Sequence, residues 1–174
     1  DMLVGMSDMR IVQQDMPQDY LPAEKALIQG AKIVTCDPCM GEGTLLQLLD
    51  LCRPDQIVSV DPVSCAYARV VAPHIGRFHT AKPNRMELEI LAGMEIRSDE
   101  DLPRAGEALL NRGLRRLFVS LGAEGCFYMD AEGRVLRRKL KPAKMVNASG
   151  AGDSFAAAML WATLNGRNVE DTLD

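Results

Sequence analysis

A glycine turn with one carboxylate, near the carboxyl end of the chain, has the residue types that phosphoryl transfer needs. It runs from Asn147 to Phe155 and opens an apolar, alanine-rich stretch of helical character. Because small residues let a backbone approach a ligand closely and the first amides of a helix lack partners, Gly150, Ala151 and Gly152 can direct N–H groups at an anion. Asp153 follows at once, and its carboxylate suits a base that takes a proton from an attacking hydroxyl. The pattern predicts an anion hole beside a general base.

Other signatures of nucleotide-binding proteins and hydrolases do not match this sequence. It contains no G-x-x-x-x-G-K-S/T string, which disfavours Walker-type ATPases. The turn lacks the third glycine of a dinucleotide-binding fingerprint, and residues 152–156 depart from the G-x-S-x-G elbow of serine hydrolases. Phosphoryl transfer is therefore the chemistry that the turn favours.

The turn resembles the signature of the ribokinase-like carbohydrate kinases, also called the PfkB family, whose usual form is Asp-Thr-Thr-Gly-Ala-Gly-Asp. The resemblance implies that Gly150, Ala151 and Gly152 form an anion hole for the phosphate transferred from ATP, and that Asp153 is the catalytic base. Asn147 stands where the family usually has Asp, which affects magnesium or structural interactions more than the base. An Asn at this position also fits nucleoside-directed members such as the pseudouridine kinases.

A second candidate site opens a predicted helix in the middle of the chain. Asn84 and Glu87 have the spacing of a capping box, in which each side chain accepts a hydrogen bond from the other residue's backbone amide. They also resemble the family's Asn-x-x-Glu motif, whose acidic residue helps to hold Mg²⁺ near the nucleotide phosphates. The resemblance implies a nucleotide-site role for Asn84 and a metal-holding role for Glu87, and capping is compatible with both.

A strand pattern at 116–121 ends in a glycine loop, which on its residues alone is a tight turn between strands. The loop is similar to a Thr-x-Gly-x-x-Gly stretch that lies along the ATP phosphates and ribose in the family. That similarity makes Ser120, Gly122 and Gly125 candidate nucleotide contacts. Asp61 follows another strand pattern, and there it either belongs to an Asp-Pro turn or lines the acceptor or phosphate region.

The elements that must position these residues alternate between strands and helices. Strands are predicted at 1–12, 31–36, 56–60, 77–81, 116–121, 126–130, 134–140 and 144–146, and helices at 22–30, 43–51, 64–72, 84–93, 99–112, 150–164 and from 168 onward. This alternation is typical of a parallel sheet covered on both faces, with antiparallel pairing late in the chain. We expect a three-layer α/β/α fold with a mostly parallel central sheet, which is the ribokinase-like fold that the resemblance implies. Ligands of such sheets bind at the carboxyl ends of the strands.

Length and composition narrow the class of protein. A chain of 174 residues with 47% hydrophobic content suffices for a single α/β domain over residues 1–174, which the longer family members imply is incomplete at both ends. The net charge of −4 argues against a nucleic-acid partner, and the basic run at 134–141 is interpreted as a solvated strand face. No apolar stretch is long enough to span a membrane, so a cytoplasmic protein is expected.

The cysteines offer one competing chemistry. The chain has 5 cysteines, an odd number without the spacing of a disulfide scaffold, which suits reduced thiols. Cys36 and Cys39 form a lone C-x-x-C, which is either a pair of small buried residues around a turn or a zinc or redox motif.

These patterns favour an enzyme that uses ATP and Mg²⁺ to phosphorylate a hydroxyl of a small-molecule sugar or nucleoside. Within the family, residues 78–89 and 117–121 together with Asn147 are similar to the pseudouridine kinase branch. The alternative is a non-catalytic nucleotide-binding or regulatory protein of the same fold, against which the intact Asp153 argues. Lid-mediated dimers occur in the family, so a homodimer stays open.

Overall fold

The computed structural model describes residues 8–140 and 150–173. The helices are α1 (Arg10–Asp15), α2 (Tyr20–Ala23), α3 (Lys25–Gly30), α4 (Glu42–Leu51), α5 (Cys65–Val71), α6 (Arg85–Ala92), α7 (Leu102–Leu110), α8 (Ala151–Leu164) and α9 (Val169–Leu173). The strands are β1 (Ile33–Cys36), β2 (Ile57–Val60), β3 (Thr80–Ala81), β4 (Arg116–Ser120), β5 (Cys126–Asp130) and β6 (Val135–Arg138). Short 3₁₀ helices lie at 38–40, 72–77, 99–101 and 122–124.

The strands form one six-stranded sheet in which they lie in chain order. Strands β1 to β4 run parallel, and β5 and β6 add to this sheet in antiparallel fashion. Cys36 lies opposite Val60 and Val60 lies opposite Ala81, so the first three strands end at the same edge. The predicted mostly parallel sheet, with antiparallel pairing late in the chain, is confirmed.

Side chains that alternate along β4 divide the core between the two faces of the sheet. Leu117 and Val119 are buried with the apolar residues of α4 to α7, whereas Phe118 is buried with those of α8 and α9. The Phe118 ring lies 4.7 Å from the Tyr128 ring and 6.3 Å from the Phe155 ring, between centroids. Helices therefore cover both faces, and the predicted three-layer arrangement is confirmed.

The predicted strand at 1–12 is wrong where it can be compared, because residues 10–12 lie in helix α1. The Asp8 carboxylate accepts a hydrogen bond from the Arg10 amide at 3.0 Å, which satisfies one of the amides at the start of the helix. One turn later, the Gln13 side chain donates to the Cys39 carbonyl at 3.1 Å and ties the helix to the domain. Residues 1–7 lie outside the described residues.

Two further strand predictions need comment. The strand predicted at 77–81 is only Thr80–Ala81, because Ala72–Arg77 form a 3₁₀ helix after α5. The strand predicted at 144–146 lies outside the described residues.

Within residues 8–140 and 150–173, no helix combines the length and the apolar character that crossing a lipid bilayer would need.

Candidate functional site

Two neighbouring strands end in side chains of opposite charge. Asp61 follows β2 and Lys82 follows β3, and Lys82 Nζ lies 2.9 Å from Asp61 Oδ2. The Lys82 side chain is only 6% exposed and that of Asp61 24%, so the pair is largely removed from water. Backbone bonds continue the sheet here, since the Lys82 amide donates to the Val60 carbonyl at 3.1 Å. A buried ammonium needs such a partner, because an unpaired charge in the interior is costly.

The predicted capping box at the start of α6 is present in full. Asn84 Oδ1 accepts a hydrogen bond from the Glu87 amide at 2.9 Å, and Glu87 Oε2 accepts one from the Asn84 amide at 2.9 Å. The capping interpretation is therefore confirmed, while the metal-holding role of Glu87 stays a prediction.

Glu87 also belongs to a cluster of buried charges. Its carboxyl is almost fully buried, and burial raises its pKa. The hydrogen bond from the Asn84 amide lowers this pKa, the Asp61 charge raises it and the Lys82 charge lowers it. Asp61, Lys82 and Glu87 thus act on one another at the carboxyl edge of the sheet. Two carboxylates at this edge fit the predicted Mg²⁺, which is commonly held by one or two carboxylates together with substrate phosphates.

Helix α8 begins where the sequence predicts an anion hole. Gly150 precedes the helix in the left-handed conformation, with φ of 79°, and the first helical bond joins the Ser154 amide to the Gly150 carbonyl at 2.8 Å. The amides of Ala151, Gly152 and Asp153 come before this bond, so the helix leaves them without intrahelical partners. Gly150 to Asp153 are all exposed, as residues that meet a ligand must be.

The buried lysine faces this helix start. A Cβ atom built on Gly152 would lie 3.7 Å from Lys82 Nζ, and among the described residues no heavy atom lies within 4 Å of one built on Gly150. An ammonium group and the positive end of a helix dipole both attract anions. Both groups would therefore attract an anion to the same place, the start of α8.

The predicted nucleotide loop lies next to the Asn84 turn. Ser120, at the end of β4, forms a parallel bridge with Asn84, and its amide donates to the Pro83 carbonyl at 2.9 Å. The loop continues as a 3₁₀ turn in which Gly122 has φ of 59° and Gly125 has φ of 98°. The structure therefore brings three predicted residues, Asn84, Glu87 and Ser120, to one edge of the sheet.

Lys82 is the residue that sequence reasoning missed. Asp61 was predicted as either a turn residue or a site residue, and the ion pair now joins it to Lys82 and, through Lys82, to Gly152. Opposite charges after two adjacent parallel strands are the signal that could have revealed the pair. Asn147 lies outside the described residues.

Burial affects both thiols of the cysteine pair, Cys36 and Cys39. Burial, with small effects of Cys52 and Asp37, raises the pKa of Cys36 to about 12. Burial and the neighbouring Asp37 raise the pKa of Cys39 to about 11. The thiolate is the reactive form of cysteine, so these raised pKa values disfavour redox chemistry at this pair. Both side chains are buried, which fits the interpretation as small residues around a turn. The described residues include no group of three or more His, Cys, Asp or Glu side chains that could hold a metal ion.

Comparison with known proteins identifies relatives of this chain. Residues 6–174 match the pfkB family of carbohydrate kinases. The pseudouridine kinase of Escherichia coli (strain K12) is 33% identical over 159 residues, which cover 91% of this chain and 50% of that protein. The 1-phosphofructokinase of the same strain is 37% identical over 92 residues, which cover 53% of this chain and 29% of that enzyme.

Solved structures give the same result for the fold. A proposed sugar kinase from Clostridium perfringens superposes with a TM-score of 0.86 at 32% identity, covering 92% of this chain and 50% of that one. The ribokinase of Arabidopsis thaliana, solved with ribose and ATP, superposes with a TM-score of 0.78 at 21% identity. The superposition covers 92% of this chain and 52% of the ribokinase chain. The predicted ribokinase-like fold is confirmed, and this chain spans about half the length of these relatives. The chain belongs to the pfkB family of carbohydrate kinases.

Proposed function

We propose that the full-length protein is an ATP-dependent kinase that transfers the γ-phosphoryl group to a hydroxyl of a sugar or nucleoside. The observation that carries this proposal is the distance of 3.7 Å between Lys82 Nζ and a Cβ atom built on Gly152. At this distance the buried ammonium of Lys82 lies close to the unpaired amides at the start of α8, and Asp153 is the next residue after Gly152. An anion hole, a cation and a general base are the groups that phosphoryl transfer uses.

In this mechanism Asp153 accepts the proton of the acceptor hydroxyl as its oxygen attacks the γ-phosphorus. The bond from that phosphorus to the bridging oxygen breaks, and ADP leaves with the electron pair. The amides of Ala151, Gly152 and Asp153 stabilise the negative charge that develops on the transferred group. Lys82 adds a positive charge on the opposite side, and Asp61 keeps this ammonium paired before the nucleotide arrives.

The nucleotide and its metal are assigned to the adjoining edge of the sheet. Ser120, Gly122 and Gly125 would contact the phosphates and ribose of ATP, with Asn84 beside them. Glu87, together with Asp61, would hold Mg²⁺, and the ion would partly neutralise the charge of the phosphates. The buried position of Glu87 fits this role because its carboxylate is fixed by the Asn84 amide.

For the acceptor we propose a nucleoside, with pseudouridine as the first candidate. Support comes from the 33% identity to an Escherichia coli pseudouridine kinase over 91% of this chain. The 37% identity to 1-phosphofructokinase over 53% of the chain makes a phosphorylated ketose the second candidate. A nucleotide-binding protein without catalysis is disfavoured because Asp153 is present and exposed beside the anion hole.

The test is ADP production by the full-length protein with Mg-ATP and a panel of acceptors: pseudouridine, other nucleosides, ribose and fructose phosphates. Turnover with one acceptor would support the kinase and name its substrate. ATP binding without turnover on any acceptor would favour the non-catalytic alternative. If ATP does not bind at all, the assignment of the helix start as a phosphate site is wrong.

A further inference from the structure

An arginine outside the predicted site contacts the backbone around the nucleotide loop. Arg137 lies on β6, and its Nη1 donates to the carbonyls of Glu124 at 2.7 Å, Cys126 at 3.2 Å and Arg138 at 2.8 Å. Its side chain is only 26% exposed. One guanidinium thus spans the end of the Gly122–Glu124 turn, the first residue of β5 and β6 itself.

The same arginine is tied to the start of α6 through an acidic residue. Arg137 Nε lies 2.9 Å from Asp99 Oδ2, and Arg85 Nη2 lies 2.5 Å from Asp99 Oδ1. Arg85 Nη2 also lies 3.1 Å from Glu124 Oε2 in the loop. Hydrogen bonds from both arginines lower the pKa of Asp99, so this carboxyl stays ionised and the network stays closed.

The two elements joined in this way are the two that the proposed function assigns to ATP. Arg85 directly follows Asn84 in the capping box, and Glu124 lies in the loop between Gly122 and Gly125. The loop is closed by backbone bonds of its own, from the Glu124 amide to the Leu121 carbonyl at 3.1 Å and from the Leu121 amide to the Gly125 carbonyl at 2.8 Å. These bonds do not fix the position of the loop relative to α6, and charge-assisted bonds from a half-buried guanidinium are strong enough to do so.

We infer that Arg137, Asp99 and Arg85 are positioning residues that hold the Gly122–Gly125 loop against the start of α6, in the arrangement that binds ATP. This inference rests on the proposed function. These residues prepare the site before the nucleotide arrives, so their loss affects ATP binding more than the chemical step.

The test is steady-state kinetics of the full-length protein carrying Arg137→Ala. The KM for ATP rises about tenfold, because charge-assisted hydrogen bonds to the loop are lost, while kcat and the KM for the acceptor change less than about twofold. Arg97→Ala is the matched control. Arg97 carries the same charge as Arg137, and the two line one surface cleft beside the loop, but the Arg97 side chain is 79% exposed and pairs with Glu95. The KM for ATP of this variant stays within about twofold of the parent value.

Three results would overturn the inference. An equal rise of the KM for ATP in both variants would mean that the arginines act only by long-range attraction of the charged nucleotide. An unchanged KM for ATP in Arg137→Ala would mean that the loop keeps its position without Arg137. Loss of kcat with unchanged ATP affinity would place Arg137 in the chemical step. The parent protein separates these results from a failure of the proposed function. If the proposed function is wrong, the parent itself neither binds nor turns over ATP, whereas in the three results above the parent is active.

If Arg137→Ala does not fold, as judged by circular dichroism and thermal unfolding, Asp99→Asn replaces it. This variant keeps the shape of a 45% exposed side chain and removes the charge that links the two arginines. The KM for ATP is then expected to rise about threefold with kcat unchanged, and an unchanged KM would overturn the inference.

Discussion

Two glycine turns in this chain use the same residue type for different reasons. In the Gly122–Gly125 loop, a Cβ atom on Gly125 would overlap the Arg138 carbonyl oxygen and lie 3.0 Å from the Leu140 amide nitrogen. At the start of α8, among the described residues, a Cβ atom on Gly152 meets only Lys82 Nζ within 4 Å, at 3.7 Å. At Gly125 the Cβ position is filled by the protein's own backbone, whereas at Gly152 it lies next to a buried cation and is not filled by any described residue.

The difference shows how a glycine required by the fold can be distinguished from one that leaves room for a ligand. Gly125 combines a φ of 98° with the backbone of Arg138 and Leu140 within 3.0 Å of its Cβ position, so replacing it must disturb the end of β6. Gly152 lies in the first turn of a regular helix, and a side chain there would occupy space that the described residues leave open. The first substitution should therefore affect stability, and the second should affect activity.

The largest effect is expected for Gly125→Ala. The added methyl group meets the Arg138 carbonyl and the backbone conformation is unfavourable for alanine, so the free energy of unfolding falls by about 3 kcal/mol or more. Gly133→Ala is the control, because Gly133 also has positive φ (86°) but, among the described residues, no heavy atom lies within 4 Å of its Cβ position. It should cost only about 1 kcal/mol. Denaturant unfolding measures both, and equal losses would remove the distinction between crowded and open turns.

Lys82→Met tests the partner of the second turn. Removing the ammonium should lower turnover about 100-fold, because a preorganised charge beside the transferred phosphoryl group is lost. Stability should fall as well, since the variant loses the ion pair between Lys82 and Asp61 at a largely buried position. Asp61→Asn should retain more activity than Lys82→Met, because the ammonium remains. Turnover of Lys82→Met within about threefold of the parent value would exclude Lys82 from the chemical step.

Gly152→Ala is expected to have a smaller effect. Unlike the two substitutions above, it should raise the stability of the fold. Alanine in a regular helix should stabilise the fold by about 0.5–1 kcal/mol, while its methyl group enters the space beside Lys82 and lowers turnover about tenfold. Gly43 is a close match, since it is the second residue of α4 as Gly152 is of α8, and no described heavy atom lies within 4 Å of its Cβ position. Gly43→Ala should raise stability equally and leave turnover unchanged. Loss of activity in both variants would show that the effect is not local to the site.

Regular elements were predictable from the sequence because their periodicity and caps are local. The Asn84–Glu87 capping box, the glycine before α8 and the strands around β2 and β4 were all placed within a few residues. The strand predicted at 1–12 was wrong from residue 10, because the Asp8 carboxylate accepts a bond from the Arg10 amide and the Gln13 side chain donates to the distant Cys39 carbonyl, and both bonds favour a helix there. The second of these bonds could not be predicted from a local pattern.

The site residues that the sequence did not reveal depend on pairing between elements distant in the chain. Lys82 gains its role from Asp61 on the neighbouring strand and from the start of α8. Arg137 was interpreted as part of a solvated strand face, yet its guanidinium is half-buried and bonds three carbonyls. The register and the order of the strands in the sheet determine these contacts, and neither can be predicted from the local sequence pattern.

The most direct test of the central claim is Asp153→Asn in the full-length protein, with ATP affinity and ADP production measured side by side. Asparagine keeps the size of the side chain and removes the base, so turnover should fall about 100- to 10,000-fold while ATP affinity stays within about threefold. Turnover near the parent value would contradict the account, because the carboxylate beside the anion hole would then have no part in the reaction.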